Sequence, residues 1–352
     1  MSAPAPTRER LVQDFRTQAA GCANMGSPIW AELLQRAADD LERGGIWADV
    51  VADYRGEPIL DALPLRILGA AHGMALAGRA PSLAAFLPST GGRFDAEGAW
   101  AALQDLLRAH ADEMRRAATS RRVQTNEVRR SAALLPGFLR IAQRTGLPLR
   151  IREIGASGGL NLLFDRYHYA LGPHRWGDPA SPLHLATEWS GGAPDLDAKL
   201  LIESRRGCDV APIDLGDPAE RIKLQSFVWP EQLDRLERLR AALAVVAADP
   251  PPIDAAPAGE WVEREIEPAP GVATVLFHSV VWWYVPEAER DRVTRWMESA
   301  GARASRAAPL AWLRMEGANI DGAELRLRLW PGNEEIPLAA VHWHGATVRW
   351  LA

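Results

Sequence analysis

The feature that most constrains this sequence is a glycine-rich stretch at residues 149–161, LRIREIGASGGLN. The apolar residues before Gly155 predict a short strand, and the glycines at 155, 158 and 159 predict a sharp turn into a new helix. Such a turn lets a ligand approach the backbone, and the helix start presents free N–H groups and a positive dipole end. This segment therefore predicts a ligand-binding strand–turn–helix unit.

On its C-terminal side, the sequence alternates between strand and helix patterns. Further strand candidates are LLIES near residue 200, 272–277, 309–315, 324–330 and 341–351. Helical patterns at 230–247 and 286–301 separate the earlier strands, which is typical of a mostly parallel sheet. The last two strands are joined by PGNEEIPLA without a helix, which predicts an antiparallel pair. The expected fold class is α/β, a Rossmann-like doubly wound sheet with a C-terminal antiparallel hairpin, the layout of class I methyltransferases.

The N-terminal third has a different character, because residues 8–118 carry helical patterns separated by glycine and proline breaks. Leu11, Val12 and Phe15 recur at helical spacing, and no convincing alternating strand pattern occurs in this region. We therefore predict two domains. Residues 1–118 form a helical cap or substrate-side domain, and residues 119–352 form the Rossmann-like domain.

Composition restricts the function classes. The chain has 352 residues, 47% of them hydrophobic, and a formal net charge of −5, which argues against disorder and disfavours nonspecific nucleic-acid binding. Two cysteines, Cys22 and Cys208, are too few for a disulfide framework or a cysteine-rich zinc site. The N-terminal sequence lacks the apolar core of a signal peptide, and no run of about eighteen apolar residues occurs. We expect a cytoplasmic protein with no nucleic-acid or membrane partner.

The first interpretation of the glycine turn is cofactor binding. Glu153 lies two residues before Gly155, and Ser157 and Gly159 follow at alternate positions. This pattern resembles the S-adenosylmethionine motif of methyltransferases, with serine in place of the usual middle glycine. The nicotinamide fingerprint G-x-G-x-x-G fits less well because the glycine spacing differs. Ala156 and Asn161 belong to the same predicted cofactor-binding turn.

A second interpretation is that residues 155–159 form the G-x-S-x-G nucleophile elbow of an α/β-hydrolase, with Ser157 as the nucleophile. The downstream residues that would keep the order Ser…Asp…His are Asp254 and one of His278, His342 or His344. An elbow normally follows several strands, whereas the preceding region reads as helical. A purely structural turn and a noncatalytic cofactor-binding scaffold are the remaining alternatives.

Two further segments carry candidate cofactor ligands. An acidic residue after the second strand commonly accepts the ribose hydroxyls of an adenosine cofactor, and Asp209 is the first choice for this role. Glu188 is the alternative if LHLATEW is itself the second strand, and an Asx turn at Asp209 is the structural alternative. Upstream, the polar cluster at 123–130 predicts that Gln124 and Asn126 contact the amino-acid end of the cofactor; its structural alternative is a helix N-cap.

His278 is the best candidate for a general base, because it follows the apolar run VATVLF at the end of a predicted central strand. A buried, hydrogen-bonded histidine is the structural alternative. Tyr167, in the polar stretch DRYHY, is the second catalytic candidate. His342 and His344 would share one face of a strand, but no third ligand is near them in sequence, so no metal site is predicted.

Nine stretches spread over nearly the whole chain resemble a bacterial family known as domain of unknown function 2332. They are FRTQAAGCANMGSPIWAELL, LPLRILGAAHGMALAGRAPSLAAFLPSTGG, VQTNEVRRSAALLPG, EIGASGGLNLLFDRYHY, RRGCDVAPIDL, VWPEQ, LFHSVVWWYVP, PLAWLRMEG and LRLWPGN…HGATVRWL. The family is grouped with S-adenosylmethionine-dependent methyltransferases, so the resemblance implies S-adenosylmethionine as the cofactor and a small molecule or protein as the acceptor. The implied cofactor positions are Glu153, Gly155, Ala156, Ser157, Gly159 and Asp209.

Overall fold

A computed structural model describes residues 5–120, 123–124, 126–319 and 322–352. The chain divides into two compact units. The first contains Met1–Thr125 and Asp217–Glu237, and the second contains Asn126–Gly216 and Arg238–Ala352. Within the described residues, no helix is both long and apolar enough to cross a membrane.

The α-helices are numbered in chain order. They are α1 (Arg8–Asn24), α2 (Pro28–Glu42), α3 (Ile46–Val50), α4 (Leu63–Leu76), α5 (Pro81–Ala84), α6 (Ala96–Ala109), α7 (Ala111–Ser120), α8 (Ser131–Thr145), α9 (Pro218–Ser226), α10 (Leu233–Ala248), α11 (Ala258–Glu265) and α12 (Glu287–Arg303). Further 3-10 helices cover Pro88–Thr90, Val128–Arg130, Leu160–Arg166 and Trp282–Tyr284. The range 5–120 contains helices and no strand.

The first unit is helical, and its core is built from aromatic and aliphatic side chains of α1 to α7. Phe15 meets Trp47 edge to face, with ring centroids 5.7 Å apart. The buried His72 on α4 uses both ring nitrogens, Nδ1 with the carbonyl of Ser226 at 3.0 Å and Nε2 with Ser89 Oγ at 2.7 Å. These bonds tie the distant segment 217–237 to the N-terminal helices.

Glu231 caps helix α2 from the same distant segment. Its Oε1 accepts from the Ser27 hydroxyl at 2.8 Å and from the Ile29 N–H at 3.1 Å, whereas Ser27 makes no side-chain capping bond of its own. We expect Glu231→Ala to lower the free energy of unfolding by about 1–2 kcal/mol, because two donors lose a charged acceptor. Urea denaturation measures this, with Glu231→Gln as the control that keeps an acceptor oxygen. Equal losses in the two variants would contradict the capping role.

The strands, all in the second unit, are likewise numbered in chain order. They are β1 (Leu149–Ile154), β2 (His168–Leu171), β3 (His174–Trp176), β4 (His184–Gly191), β5 (Ile202–Asp209), β6 (Ile253–Ala255), β7 (Ala273–Ser279), β8 (Leu310–Asn319), β9 (Gly322–Trp330), β10 (Glu334–Val341) and β11 (Thr347–Trp350). They form one sheet in the order β3-β2-β4-β11-β10-β9-β8-β7-β1-β5-β6.

The sheet is mostly parallel. Six of its ten neighbouring pairs are parallel, including the block β6-β5-β1-β7-β8, and four are antiparallel. This confirms the α/β class with a large, mostly parallel sheet and helices. The predicted pairing of 324–330 with 341–351 is wrong. Residues 334–341 form a strand of their own, β10, which lies between β9 and β11, because the turn at 331–333 returns the chain immediately.

Helices cover the two faces of the central strands. On one face, Phe138 of α8 stacks on Phe164 with centroids 4.0 Å apart and meets Phe277 of β7 edge to face at 5.1 Å. On the other face, α11 and α12 pack buried side chains such as Trp261 and Met297 against the sheet. The central strands β1 and β7 are therefore buried in the core of this unit.

Candidate functional site

The arrangement of the parallel strands defines one distinctive edge. After β1 the chain first forms β2, β3 and β4 at the distant edge of the sheet. It then adds β5 and β6 on one side of β1 and afterwards β7 and β8 on the other side. In open α/β sheets, ligands bind outside the carboxyl ends of the strands where the strand order reverses in this way. The carboxyl ends of β1 and β7 therefore mark the candidate site.

The glycine turn lies directly after β1 and is strongly bent. Gly155, Ser157 and Gly159 have φ angles of 69°, 54° and 76°, in the left-handed region that favours glycine. Ser157 occupies this region without being a glycine, and such positions cluster at functional sites. Its N–H donates to Asp209 Oδ2 at 3.0 Å. The hydrogen bond joins the turn to the end of β5.

Close packing also requires glycine at two of these positions. A Cβ on Gly155 would lie 2.5 Å from Val281 Cγ2, and one on Gly159 would lie 2.6 Å from Pro251 Cγ. Neither distance is compatible with normal van der Waals contact. The glycines are therefore explained by the packing of the protein itself and are not, on their own, a sign of a ligand.

The helix expected after the turn is a 3-10 helix, Leu160–Arg166, and not an α-helix. Side chains engage both backbone groups of Leu160: its N–H donates to Asn126 Oδ1 at 3.1 Å, and its carbonyl accepts from the Tyr167 hydroxyl at 2.5 Å. The two side chains therefore anchor the start of the 3-10 helix beside the turn.

Glu153 is the most perturbed acid at this edge. Glu153 belongs to β1, and only 1% of its surface is exposed to solvent. Its Oε2 atom has no hydrogen-bond partner among the described residues. Burial raises the pKa of this carboxyl well above its ordinary value, and the negative charge of Asp209 adds to the effect. The guanidinium of Arg130 opposes both. Glu153 is therefore a buried carboxyl group whose uncharged form is favoured, relative to a glutamate in water.

Asp209, at the end of β5, lies beside the turn as predicted. Its Oδ2 accepts from the Ser157 N–H and its Oδ1 accepts from the Ala211 N–H at 2.9 Å. Glu188, the sequence alternative, lies on β4 and pairs with Thr347 of β11, with five strands separating β4 from β1 in the sheet. The bond from the Ala211 N–H to Asp209 Oδ1 forms the Asx turn that was the structural alternative for this residue. Asp209 therefore orders its own loop in addition to any ligand role.

The polar cluster at 123–130 falls in both compact units. Asn126 contacts the helix after the glycine turn, and Arg130, which is buried, donates from Nη1 to the Ser279 carbonyl at 3.1 Å. Gln124 belongs to the first unit, and Thr125 lies outside the described residues. The N-cap of the 3-10 helix at 128–130 is Glu127. Asn126 thus caps a helix, but one that lies 34 residues further along the chain.

Asn161 and Tyr167 are both buried next to the turn. Asn161 Oδ1 accepts from the Ser131 hydroxyl at 2.8 Å, which joins the start of α8 to the 3-10 helix. The Tyr167 ring is fully buried, its hydroxyl is engaged by Leu160, and burial raises its pKa. The contacts of both residues order the segment behind the turn, so we assign neither a step in the chemistry proposed below.

His278 ends β7 with 0% exposure. Its Nδ1 lies 2.6 Å from Glu316 Oε1, its ring stacks on Trp282 at 4.7 Å, and Nε2 has no partner among the described residues. Because Phe277 is paired with Glu153 and side chains alternate along a strand, His278 lies on the face opposite Glu153. The two groups therefore flank β1 and β7 from different faces.

Sequence reasoning did not single out Glu316 or Arg130. Glu316 is 38 residues from His278 and belongs to the neighbouring strand β8, so no local pattern links the two. Arg130 was part of the polar cluster but carried no distinguishing signal. Glu316 and Arg130 are candidate site residues because of contacts that strand order and helix packing create.

Among the described residues, Ser157 makes none of the hydrogen bonds that a serine hydrolase requires. Ser157 Oγ is buried and has no partner among the described residues, so no histidine contacts it. Asp254 is bonded to Arg206 and to the Trp261 indole. A serine nucleophile and its histidine base must be within hydrogen-bond reach of each other. No histidine of the described residues is within that reach of Ser157 Oγ.

His342 and His344 lie together in the β10–β11 loop. The ring centroids are 5.7 Å apart, and burial followed by the charge of Arg129 lowers the pKa of His342. In the part of the chain that the structure describes, no group of three or more side chains could hold a metal ion.

The fold and this edge define an α/β protein with a candidate ligand site at the carboxyl ends of its parallel strands. The chain belongs to a bacterial family described as an uncharacterized protein conserved in bacteria, domain of unknown function 2332, whose profile matches residues 12–350. This confirms the resemblance to domain of unknown function 2332. Neither the curated proteins nor the solved structures contain a significant match.

Proposed function

We propose that this protein is a cytoplasmic S-adenosylmethionine-dependent methyltransferase that acts on an oxygen or nitrogen of a small molecule or a protein. One observation carries the proposal: three buried polar atoms without partners among the described residues occur where β1 and β7 end. They are Glu153 Oε2, Ser157 Oγ and His278 Nε2. A buried polar group without a partner costs about 1–3 kcal/mol, so a polar ligand at this edge would offset a sizeable penalty.

The strand order supports a nucleotide-type cofactor. Numbered in chain order, the five parallel strands β1, β5, β6, β7 and β8 run 3-2-1-4-5 across the sheet. This is the order found in doubly wound folds that bind dinucleotides at the reversal point. The antiparallel strands β9 to β11 extend the sheet beyond that block and do not interrupt it.

The residues present suit the cofactor. Glu153 and Ser157 offer unpaired polar atoms for its amino-acid end, and each oxygen of Asp209 accepts one N–H and keeps a lone pair for a ribose hydroxyl. When bound, the cofactor supplies an electrophilic methyl group on a sulfonium centre. The protein would hold the acceptor close to that group, so positioning would provide most of the rate advantage. His278 accepts the proton of the acceptor.

The test is isothermal titration with S-adenosylmethionine and S-adenosylhomocysteine. We expect micromolar binding to the wild-type protein and at least about tenfold weaker binding to Asp209→Asn, which equals about 1.4 kcal/mol. Asp214→Asn is the matched control, because Asp214 caps the Gly216 N–H in an exposed turn of the same loop. Gly155→Val is unsuitable here, since it would collide with Val281.

Three outcomes separate the candidate functions. No binding of either compound to the wild-type protein would contradict the methyltransferase proposal. Labelling of Ser157 by a fluorophosphonate probe, abolished in Ser157→Ala, would favour the serine hydrolase. Binding without methyl transfer to any acceptor pool would favour the noncatalytic scaffold.

A further inference from the structure

We propose that Glu316 is a positioning residue that holds the proton of neutral His278 on Nδ1, so that Nε2 is the proton acceptor during methyl transfer. This inference deepens the proposed function and rests on it. It assigns a role to the carboxylate of Glu316, which lies on strand β8.

The hydrogen-bond geometry defines the tautomer. Glu316 Oε1 lies 2.6 Å from His278 Nδ1, and the same carboxylate accepts from the N–H groups of Val281 and Trp282 at 3.2 Å each. An ionised carboxylate only accepts, and a neutral imidazole carries one N–H. When the imidazole is neutral, its proton therefore sits on Nδ1, and the buried Nε2 carries the lone pair.

A second buried histidine in the same chain shows what a purely structural role looks like. His72 also has 0% exposure, but both of its ring nitrogens are hydrogen-bonded, to Ser226 and Ser89. His278 Nε2 has no such partner among the described residues and lies within an aromatic cluster with Trp282 and Trp312. The free lone pair is the feature that a base needs and that a structural histidine lacks.

Backbone strain accompanies the pair. Val280 has a φ of 54°, a conformation that a β-branched residue rarely adopts. This turn directs the next two N–H groups onto Glu316 and places Val281 against Gly155. Strain of this kind persists only where the surrounding structure imposes it, and it concentrates at functional sites.

The proton transfer balances. As the acceptor oxygen or nitrogen forms its bond to the methyl carbon, the sulfur–carbon bonding pair returns to sulfur and the acceptor proton moves to Nε2. One positive charge, initially on the sulfonium, ends on the imidazole ring. Glu316 lies against Nδ1 and stabilises that charge, which is why its carboxylate and not a neutral amide is needed.

Nitrogen-15 NMR of histidine-labelled full-length protein tests the inference. Loss of signals in His278→Gln assigns the ring. In the wild-type protein, with the imidazole neutral, we expect a protonated Nδ1 and a bare Nε2. We expect Glu316→Gln to produce a mixture of tautomers, whereas Glu324→Gln, at the paired position on β9, leaves the spectrum unchanged.

Titration with S-adenosylhomocysteine completes the test. A shift of the Nε2 signal on binding supports the inference, because a structural histidine would not respond at that nitrogen. A proton on Nε2 in the free protein, or binding seen by calorimetry with an unmoved Nε2 signal, would overturn this inference alone. Absence of any binding would overturn the proposed function and this inference with it. The wild-type spectrum decides the tautomer even if Glu316→Gln fails to fold.

Discussion

Replacing Gly155 by alanine is expected to lower the free energy of unfolding by about 2–5 kcal/mol. The left-handed φ of 69° costs an L-residue about 1–2 kcal/mol, and the added Cβ would lie 2.5 Å from Val281 Cγ2, an overpacking that costs about 1–3 kcal/mol. Both costs arise at the same atom, so they occur together. Urea denaturation followed by circular dichroism measures the loss.

Gly146 provides a matched control because its φ is 67° and no atom lies within 4 Å of an added Cβ. Gly146→Ala therefore carries the conformational cost alone, about 1–2 kcal/mol. The double variant Gly155→Ala/Val281→Ala should recover part of the loss, since the colliding methyl group is gone. If Gly146→Ala and Gly155→Ala were equally destabilised, the close contact with Val281 would be refuted.

The second large effect concerns the buried acid Glu153. Its carboxyl has a raised pKa in the folded protein, mainly through burial, whereas in the unfolded chain it returns to an ordinary value near 4.5. Above pH 4.5 the unfolded chain releases a proton that the folded protein keeps. The contribution of Glu153 to the free energy of unfolding is therefore complete below pH 4.5 and falls as the pH rises toward the pKa of the folded protein. The slope is at most about 1.4 kcal/mol per pH unit.

Glu153→Gln removes this titration while preserving the shape of the side chain. We expect the variant to gain stability relative to the wild-type protein between pH 5 and pH 7, by up to about 3 kcal/mol. Denaturation curves of both proteins at half-unit pH intervals give the difference directly. A constant difference across this range would mean that Glu153 is ionised in the folded state, contrary to its environment beside Asp209.

Much of the second unit could be predicted from local pattern. The strand and glycine turn from residue 149, the apolar strand predicted at 272–277 and found at Ala273–Ser279, and the helices near 230–247 and 286–301 all follow from patterns of neighbouring residues. The turn residues were also correct in kind, since Gly155 and Gly159 adopt positive φ. A helix follows the turn as predicted, and it is a 3-10 helix whose first residue, Leu160, is held by Asn126 and Tyr167.

The sequence by itself therefore determined the α/β class, the position of the turn and the titratable residues near it, because these depend on spacing along the chain. Only the tertiary structure decided that Asp209 and not Glu188 lies beside the turn, that His278 and Glu153 occupy opposite faces, and that Glu316 meets His278. The physical reason is that strand order and helix packing are set by burial of apolar surface between segments far apart in sequence. No local sequence pattern specifies which strands become neighbours in the sheet.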